Sequence, residues 1–267
     1  MDYNTLRYER KGRVGILTLN RPEKLNALSL ELVREMNDFL SHLAEEDDTH
    51  VVIVRGEGRA FCAGADLSDP EAERDKMAPP VPEHYERQIG YSNIIIRMRQ
   101  VPQPLIAAVR GPAVGGGWSI TMACDVRIAG ESARFDAAFV RIGLSGGDMG
   151  SSYFLPRLVG FSHAAELLYT GRFIDAATAY RIGLVSRVVP DDQVDEAAME
   201  LAEEMLSCSP FGLRMTKEVL NQNIDAPSLA AAIRLEDRTQ VLCSRAEDFQ
   251  EGRLAFLEKR APVYRNR

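Results

Sequence analysis

No apolar run in this 267-residue chain approaches the roughly 18 residues that a membrane span requires, so a transmembrane role is not expected. The amino terminus, Met1-Asp2-Tyr3-Asn4, lacks the basic and apolar regions of a secretory signal, and a cytoplasmic location is the expectation. Cysteine is scarce. Cys62, Cys124, Cys208 and Cys243 form no C-x-x-C pair and have no histidine cluster nearby, which argues against a disulfide framework and against a zinc site. Buried free thiols are expected instead. Positive charge is also short. A net charge of −7 disfavours a general nucleic-acid surface. Neither a G-x-G-x-x-G fingerprint nor a phosphate-loop lysine is present, so the nucleotide cofactors bound by those motifs are not expected. No internal repeat or low-complexity segment stands out. What remains is 45% hydrophobic and 27% charged, an ordinary globular composition long enough to bury a sizeable core.

The most informative stretch runs from Ile106 to Ile120 and ends at Cys124-Asp125. It reads as a buried strand, a tight turn and three glycines, Gly115-Gly116-Gly117, opening a helix. Glycine at a helix start lets a ligand approach bare backbone N–H groups, and the helix dipole adds partial positive charge there. A second candidate donor loop lies upstream at Gly58-Arg59-Ala60-Phe61-Cys62-Ala63-Gly64-Ala65-Asp66-Leu67. Two such loops, each following an apolar strand, can converge on one oxygen as an oxyanion hole.

Around them the chain alternates strand and helix. Val14–Leu19 predicts a strand ending in the turn Asn20-Arg21-Pro22. Ser29 is placed to cap a helix carrying Leu32, Val33, Met36, Phe39, Leu40 and Leu43 on one face. Val51–Val54, Leu105–Val109 and Val126–Ala129 are short, continuously apolar strands, as expected when both faces are covered. This predicts an α/β core. Between Ser68 and Pro82 a polar, proline-containing segment predicts a loop or lid, followed by a helix over about Glu83–Arg99. Helices are expected over Gln193–Ser207, Pro210–Asn221, Leu229–Leu242 and Ala246–Lys259. The expected division is a core over residues 1–190 and a helical region over 191–267. That region either caps the core or mediates oligomerisation and completes the site.

These residues together resemble the crotonase superfamily, the enoyl-CoA hydratase/isomerase group. The resemblance begins at Leu19-Asn20-Arg21-Pro22-Glu23-Lys24-Leu25-Asn26-Ala27-Leu28, passes through both donor loops and ends at Phe256-Leu257-Glu258-Lys259-Arg260. It implies a spiral of ββα units with a helical carboxyl-terminal region, assembled as a homotrimer or homohexamer. It also implies an acyl-CoA thioester substrate, with CoA as part of the substrate and no separate cofactor. Carried over by motif, the oxyanion donors fall on Ala63 and Gly116. CoA contacts fall on Lys24, Leu25 and Ala27 and on Ala65, Asp66 and Leu67, with Lys259 meeting phosphates from a neighbouring subunit. Asp66 also reads as an organiser of the backbone after the first donor loop.

The chain departs from the two-glutamate pattern of the family's hydratases. The matching positions hold Ser119 and Phe139, neither of which is a carboxylate base, and both are expected to line the pocket. Asp148, in Gly146-Gly147-Asp148-Met149-Gly150, is the candidate catalytic acid, with a helix N-cap as its competing role. One carboxylate can take a proton from C2 of a 3-enoyl thioester and return one to C4 while the oxyanion hole holds the dienolate. Double-bond isomerisation is therefore the leading expectation. Hydration by atypical water activation is the alternative, and a non-catalytic acyl-CoA-binding protein is the alternative from another class. A hydrolase using Ser119 and His163 has no diagnostic spacing. His84 and Tyr85 border the variable segment and could reach the acyl tail, and Trp118 is expected in the core or pocket wall.

Overall fold

A computed structural model describes residues 2–73 and 80–266. The elements, in chain order, are β1 (Leu6–Lys11), β2 (Val14–Leu19), α1 (Leu30–Glu45), β3 (Val51–Gly56), α2 (Pro70–Glu73), α3 (Val81–Gln100), β4 (Leu105–Val109) and β5 (Pro112–Val114). These are followed by α4 (Gly116–Ala123), β6 (Val126–Gly130), β7 (Arg134–Asp136), α5 (Ser151–Val159), α6 (Phe161–Thr170) and β8 (Ile174–Asp175). The chain ends with α7 (Ala176–Arg181), β9 (Arg187–Val189), α8 (Val194–Leu206), α9 (Pro210–Asn223), α10 (Leu229–Arg245) and α11 (Glu247–Glu258). Of the expected Ser68–Pro82 loop, residues 70–73 are the short helix α2, and residues 74–79 lie outside the described residues.

The large sheet runs β1-β2-β3-β4-β6-β9, with only β1 antiparallel to its neighbour. Because successive side chains on a strand point to opposite faces, the continuously apolar strands must bury both. Leu17, Leu19, Val52, Val54, Leu105 and Ala107 pack against the buried stripe of α1 and against Ile94 and Met98 of α3. Val14, Val51, Ile53, Ile106 and Ile128 pack against Val194, Ala198 and Ala202 of α8, so the first helix beyond residue 190 covers the sheet's second face. The Ser29 hydroxyl caps α1 by accepting from the Leu32 amide at 3.2 Å, worth about 1 kcal/mol.

A second, smaller layer was not visible in the apolar pattern. β5, β7 and β8 form a three-stranded sheet, extended by single bridges between Cys62 and Ala113 and between Leu28 and Ala65. Each turn of the chain thus crosses the large sheet, crosses the small one and enters a helix, as in β4-β5-α4. This is the spiral of ββα units that the resemblance implies. The small layer places the loop after β3 beside the start of α4.

Candidate active site

At the start of α4 the chain is tied down on both sides, yet donors are left over. The Gly115 amide donates to the Asp136 carbonyl at 2.8 Å, and the Ser119 amide closes the first helical turn onto Gly115 O at 3.0 Å. The Gly116 amide, first in the helix, has no hydrogen-bond partner among the described residues. Gly117 is needed for close approach, because a Cβ there would lie 2.3 Å from the Cys62 carbonyl oxygen.

The upstream loop is sewn to its neighbours by backbone hydrogen bonds of Cys62, Ala63, Gly64 and Asp66. The Cys62 amide donates to Pro112 O (3.1 Å), and Val114 N donates back to Cys62 O (2.9 Å). Ala63 N donates to Leu25 O at 3.0 Å. Leu28 N donates to Gly64 O (2.7 Å), and Asp66 N donates to Leu28 O (3.0 Å). In this parallel bridge Ala65 sends its own N–H away from Leu28, and that amide has no partner among the described residues. The expectation of a donor at Ala63 is therefore corrected: its amide is already spent on Leu25, and the spare amide in the loop belongs to Ala65. Gly64, at φ +89° and with a would-be Cβ 2.9 Å from Val114 O, lets the loop pass this close to β5.

Three polar side chains hold the loop after β2 against this one. Asn26 is fully buried at a left-handed φ of 56°. It accepts from the Arg21 amide (2.8 Å) and donates to Glu57 O (2.9 Å) and Ala60 O (2.8 Å). Arg21 donates to Ala27 O (2.6 Å) and to Asp66 Oδ2 (2.9 Å), and Ser68 donates to Asp66 Oδ1 through both its amide (3.0 Å) and its hydroxyl (2.9 Å). Burial pushes the Asp66 carboxyl up, but the Ser68 and Arg21 hydrogen bonds outweigh it and hold it below the ordinary carboxylate range. Asp66 is thus a brace between two loops. Its carboxylate is occupied, so a CoA contact at this position would fall to its backbone. Sequence reasoning missed Arg21 and Asn26. Their signal was two hydrogen-bonding side chains flanking a turn that directly follows an apolar strand.

A cavity of about 220 Å³ opens where the two loops meet. Ala63, Ala65, Leu67, Gly116, Phe139 and Asp148 all line it, so the fold gathers residues from four separate stretches of sequence. Tyr91 and Gln88 of α3 and Met149 complete the wall and were not anticipated. Asp148 is half-buried. Its Oδ1 accepts from Gln88 Nε2 at 2.7 Å and from the Met149 amide at 2.8 Å. The competing N-cap role is not the one it plays: α5 is capped by Gly150 without a side-chain bond. The turn is closed instead by Ser151, whose hydroxyl accepts from Asp148 N (3.0 Å) and donates to Gly146 O (2.6 Å).

Other expected site residues lie elsewhere. Ser119 is wholly buried, does not line the cavity, and its Oγ has no partner among the described residues. This corrects its expected place in the pocket wall and leaves His163, exposed on α6, without a hydrogen bond to it. Trp118 is buried, as expected. Lys24 is exposed on a 3₁₀ turn at Pro22–Lys24, Leu25 is half-buried at φ 52°, and Ala27 is buried. None of these three lines the cavity, and neither does Lys259, exposed at the end of α11. Tyr85 is exposed near the start of α3. Among the described residues no cluster of His, Cys, Asp and Glu has the spacing to hold a metal ion. Burial pushes the Cys62 and Cys124 thiols up to about 12, so neither is a thiolate at neutral pH.

The chain is similar to known proteins along its whole length. The family described as Enoyl-CoA hydratase/isomerase matches residues 9–267. The Mycobacterium tuberculosis protein named "Probable enoyl-CoA hydratase EchA12" is 37% identical over 253 residues, 94% of this chain and 89% of that protein. A Rhizobium meliloti protein named "Probable enoyl-CoA hydratase" is 38% identical over 267 residues, 100% of both chains. The crystal structure of an enoyl-CoA hydratase from Bacillus anthracis superposes with a TM-score of 0.92 at 35% identity, covering 99% of this chain and 100% of that one.

Proposed function

The chain belongs to the enoyl-CoA hydratase/isomerase family, and within it we propose a double-bond isomerase that converts a 3-enoyl-CoA to a 2-enoyl-CoA through Asp148. One observation carries the reading. Asp148 is the sole carboxylate, among the described residues, on the wall of the cavity that also holds the spare amides of Ala65 and Gly116.

In this reading the thioester oxygen accepts from Ala65 N–H and Gly116 N–H. Asp148 removes a proton from C2, the C3–C4 π electrons and the new carbanion pair delocalise into a dienolate, and the same carboxyl returns the proton to C4. Charge builds on the thioester oxygen only as the proton leaves, so preorganised donors act on the transition state. Each is worth about 3–4 kcal/mol. Gln88 aims the carboxylate through Oδ1 and leaves Oδ2 to move the proton. Phe139, Ile142 and Leu144 give the cavity an apolar wall that disfavours a competing water.

The backbone near Lys24, Leu25, Ala27 and Leu67 would carry CoA, with Lys259 of a neighbouring copy at its phosphates. Exposed apolar residues of the last helices, among them Leu229, Val241, Leu242, Phe256 and Leu257, support assembly of residues 191–267 against other copies, as a trimer or hexamer. Hydration is the second reading. The relatives named above are called hydratases, and the buried, unpartnered Ser119 hydroxyl could hold a water once the cavity rearranges.

A paired assay with a 3-enoyl-CoA and a 2-enoyl-CoA, on the wild type and Asp148→Asn, decides between them. Isomerisation lost in the variant establishes the proposal. Efficient hydration that survives Asp148→Asn overturns both the reaction and the residue. Tight acyl-CoA binding without turnover of either substrate would make the protein a binder.

A further inference from the structure

Met149 lines two cavities. One is the cavity of about 220 Å³ at the amino end of α4; the other, of about 620 Å³, opens at that helix's carboxyl end. α4 has eight residues, so the two ends stand roughly 12 Å apart by helix rise. A single helix walls both: Gln88 and Tyr91 of α3 face the first, and Ser92, Ile95 and Ile96 face the second. The rest of the larger cavity's wall includes Met122, Phe154, Leu220 and Ile224. Its charged residues are engaged with protein groups. Arg99 pairs with Asp125 at 2.8 Å, Arg157 pairs with Asp225 at 2.7 Å, and Arg127 donates to the carbonyls of Leu184 (2.7 Å) and Cys124 (2.8 Å). What this cavity offers a ligand is therefore hydrocarbon. Its rim leaves Leu220 65% and Ile96 51% exposed, apolar surface that gains by being covered.

Between the cavities stands one flexible side chain. Met149 is 5% exposed, and its Sδ lies 2.9 Å from where a Cβ on Gly116 would be, directly beside the proposed oxyanion donor. An unbranched thioether can change rotamer and fill or vacate such a gap at low cost.

We propose that the larger cavity receives the distal part of a medium- or long-chain acyl group, and that Met149 is the partition setting chain-length preference. The inference rests on the acyl-CoA reading of the smaller cavity. Calorimetric titration of the wild type, Met149→Ala, Ile96→Trp and Leu220→Trp with butyryl-, octanoyl- and dodecanoyl-CoA tests it without requiring turnover. Each buried methylene is worth up to about fourfold in affinity, from about 0.8 kcal/mol per CH₂. Octanoyl-CoA is expected to bind the wild type at least tenfold tighter than butyryl-CoA. Met149→Ala should widen that ratio, and either tryptophan, both placed at exposed rim positions, should reduce it at least tenfold. Butyryl-CoA binding with a ratio that moves in none of the variants overturns the tail site and leaves the acyl-CoA reading standing. Failure of every acyl-CoA to bind overturns both.

Discussion

The two ends of α4 are built to opposite plans. At the amino end the Gly116 amide has no partner among the described residues and borders a cavity. At the carboxyl end the orphan carbonyls are met. Arg127 donates to Thr121 O (3.3 Å) and Cys124 O (2.8 Å), and Arg99 donates to Ala123 O (3.1 Å). Asp125, just past that end, is held by Arg99, by the Leu105 amide at 2.8 Å, and by Lys217 of α9 at 3.0 Å. The negative end of the helix dipole is thus neutralised by fixed cations, whereas at the positive end the Gly116 amide is left unpaired among the described residues. Backbone donors in folded interiors are almost always satisfied. In the proposed reaction the pair left free in one cavity receives the thioester oxygen, while the saturated end holds the helix in place.

The contrast breaks if a change at the open end destabilises the protein as much as one at the closed end. The largest expected effect is on catalysis. Asp148→Asn should lower isomerisation about 10³-fold, within the range for general acid–base catalysis, and leave the urea midpoint near the wild type's. Gln88 and Met149 N can bond to the new amide's oxygen as they do to the carboxylate. Arg127→Met should show the reverse. Removing the guanidinium strands buried carbonyls at Thr121, Cys124 and Leu184, a loss of about 3 kcal/mol in urea unfolding, with kcat at a permissive temperature largely kept.

The open end was easier to read in the sequence than the closed one. Three successive glycines after an apolar strand have few explanations, and Asp148 stood out because its neighbours offered no other carboxylate. The choice between Ala63 and Ala65 was not legible. It depends on which amide faces Leu25, and the left-handed Leu25 and Asn26 put that carbonyl in place from nearly forty residues away. Ser119 failed for a similar reason: motif spacing put it on the right helix, but the cavity does not reach its buried hydroxyl. Of the fold, the apolar strands and the face of α1 were plain from periodicity. β5, β7 and β8, of two or three residues each, carry too little pattern to be seen. At the closed end Arg127 and Lys217 look like solvated charges in sequence, and only their partners make them interior.

Lys217 sharpens the comparison at a smaller scale. Burial pushes its ammonium below the ordinary lysine range, and Asp125 only partly opposes this. Lys217→Met strips Asp125 of one cation and leaves the Gln103 and Met98 carbonyls without their donor, but Arg99 remains. A loss of about 2 kcal/mol, less than for Arg127→Met, is expected in the same urea series. An equal or larger loss would mean that the anchor of α9, rather than the carbonyl cap, is what holds this end.

The smallest effect tests a wholly buried carboxyl at the open end. Asp136, whose carbonyl fixes Gly115, is fully buried. One carboxylate oxygen pairs with Arg141 and the other has no partner among the described residues. Burial pushes its pKa above the ordinary carboxylate value, and Arg141 opposes this without reversing it. The folded state therefore binds more protons than the unfolded state between the two values. Stability from this group is fully present below the unfolded pKa and is lost as pH rises through the folded one. Asparagine does not titrate, so the stability of wild type relative to Asp136→Asn should fall as pH is raised from about 4 toward neutrality. The slope is at most about 1.4 kcal/mol per pH unit for one proton. Urea midpoints of the two proteins across that range measure it. A difference that instead grows with pH would mean that the Arg141 pair outweighs burial. The open end of α4 would then be held by an ion pair of its own, and the two ends would differ less than their carbonyls and amides suggest.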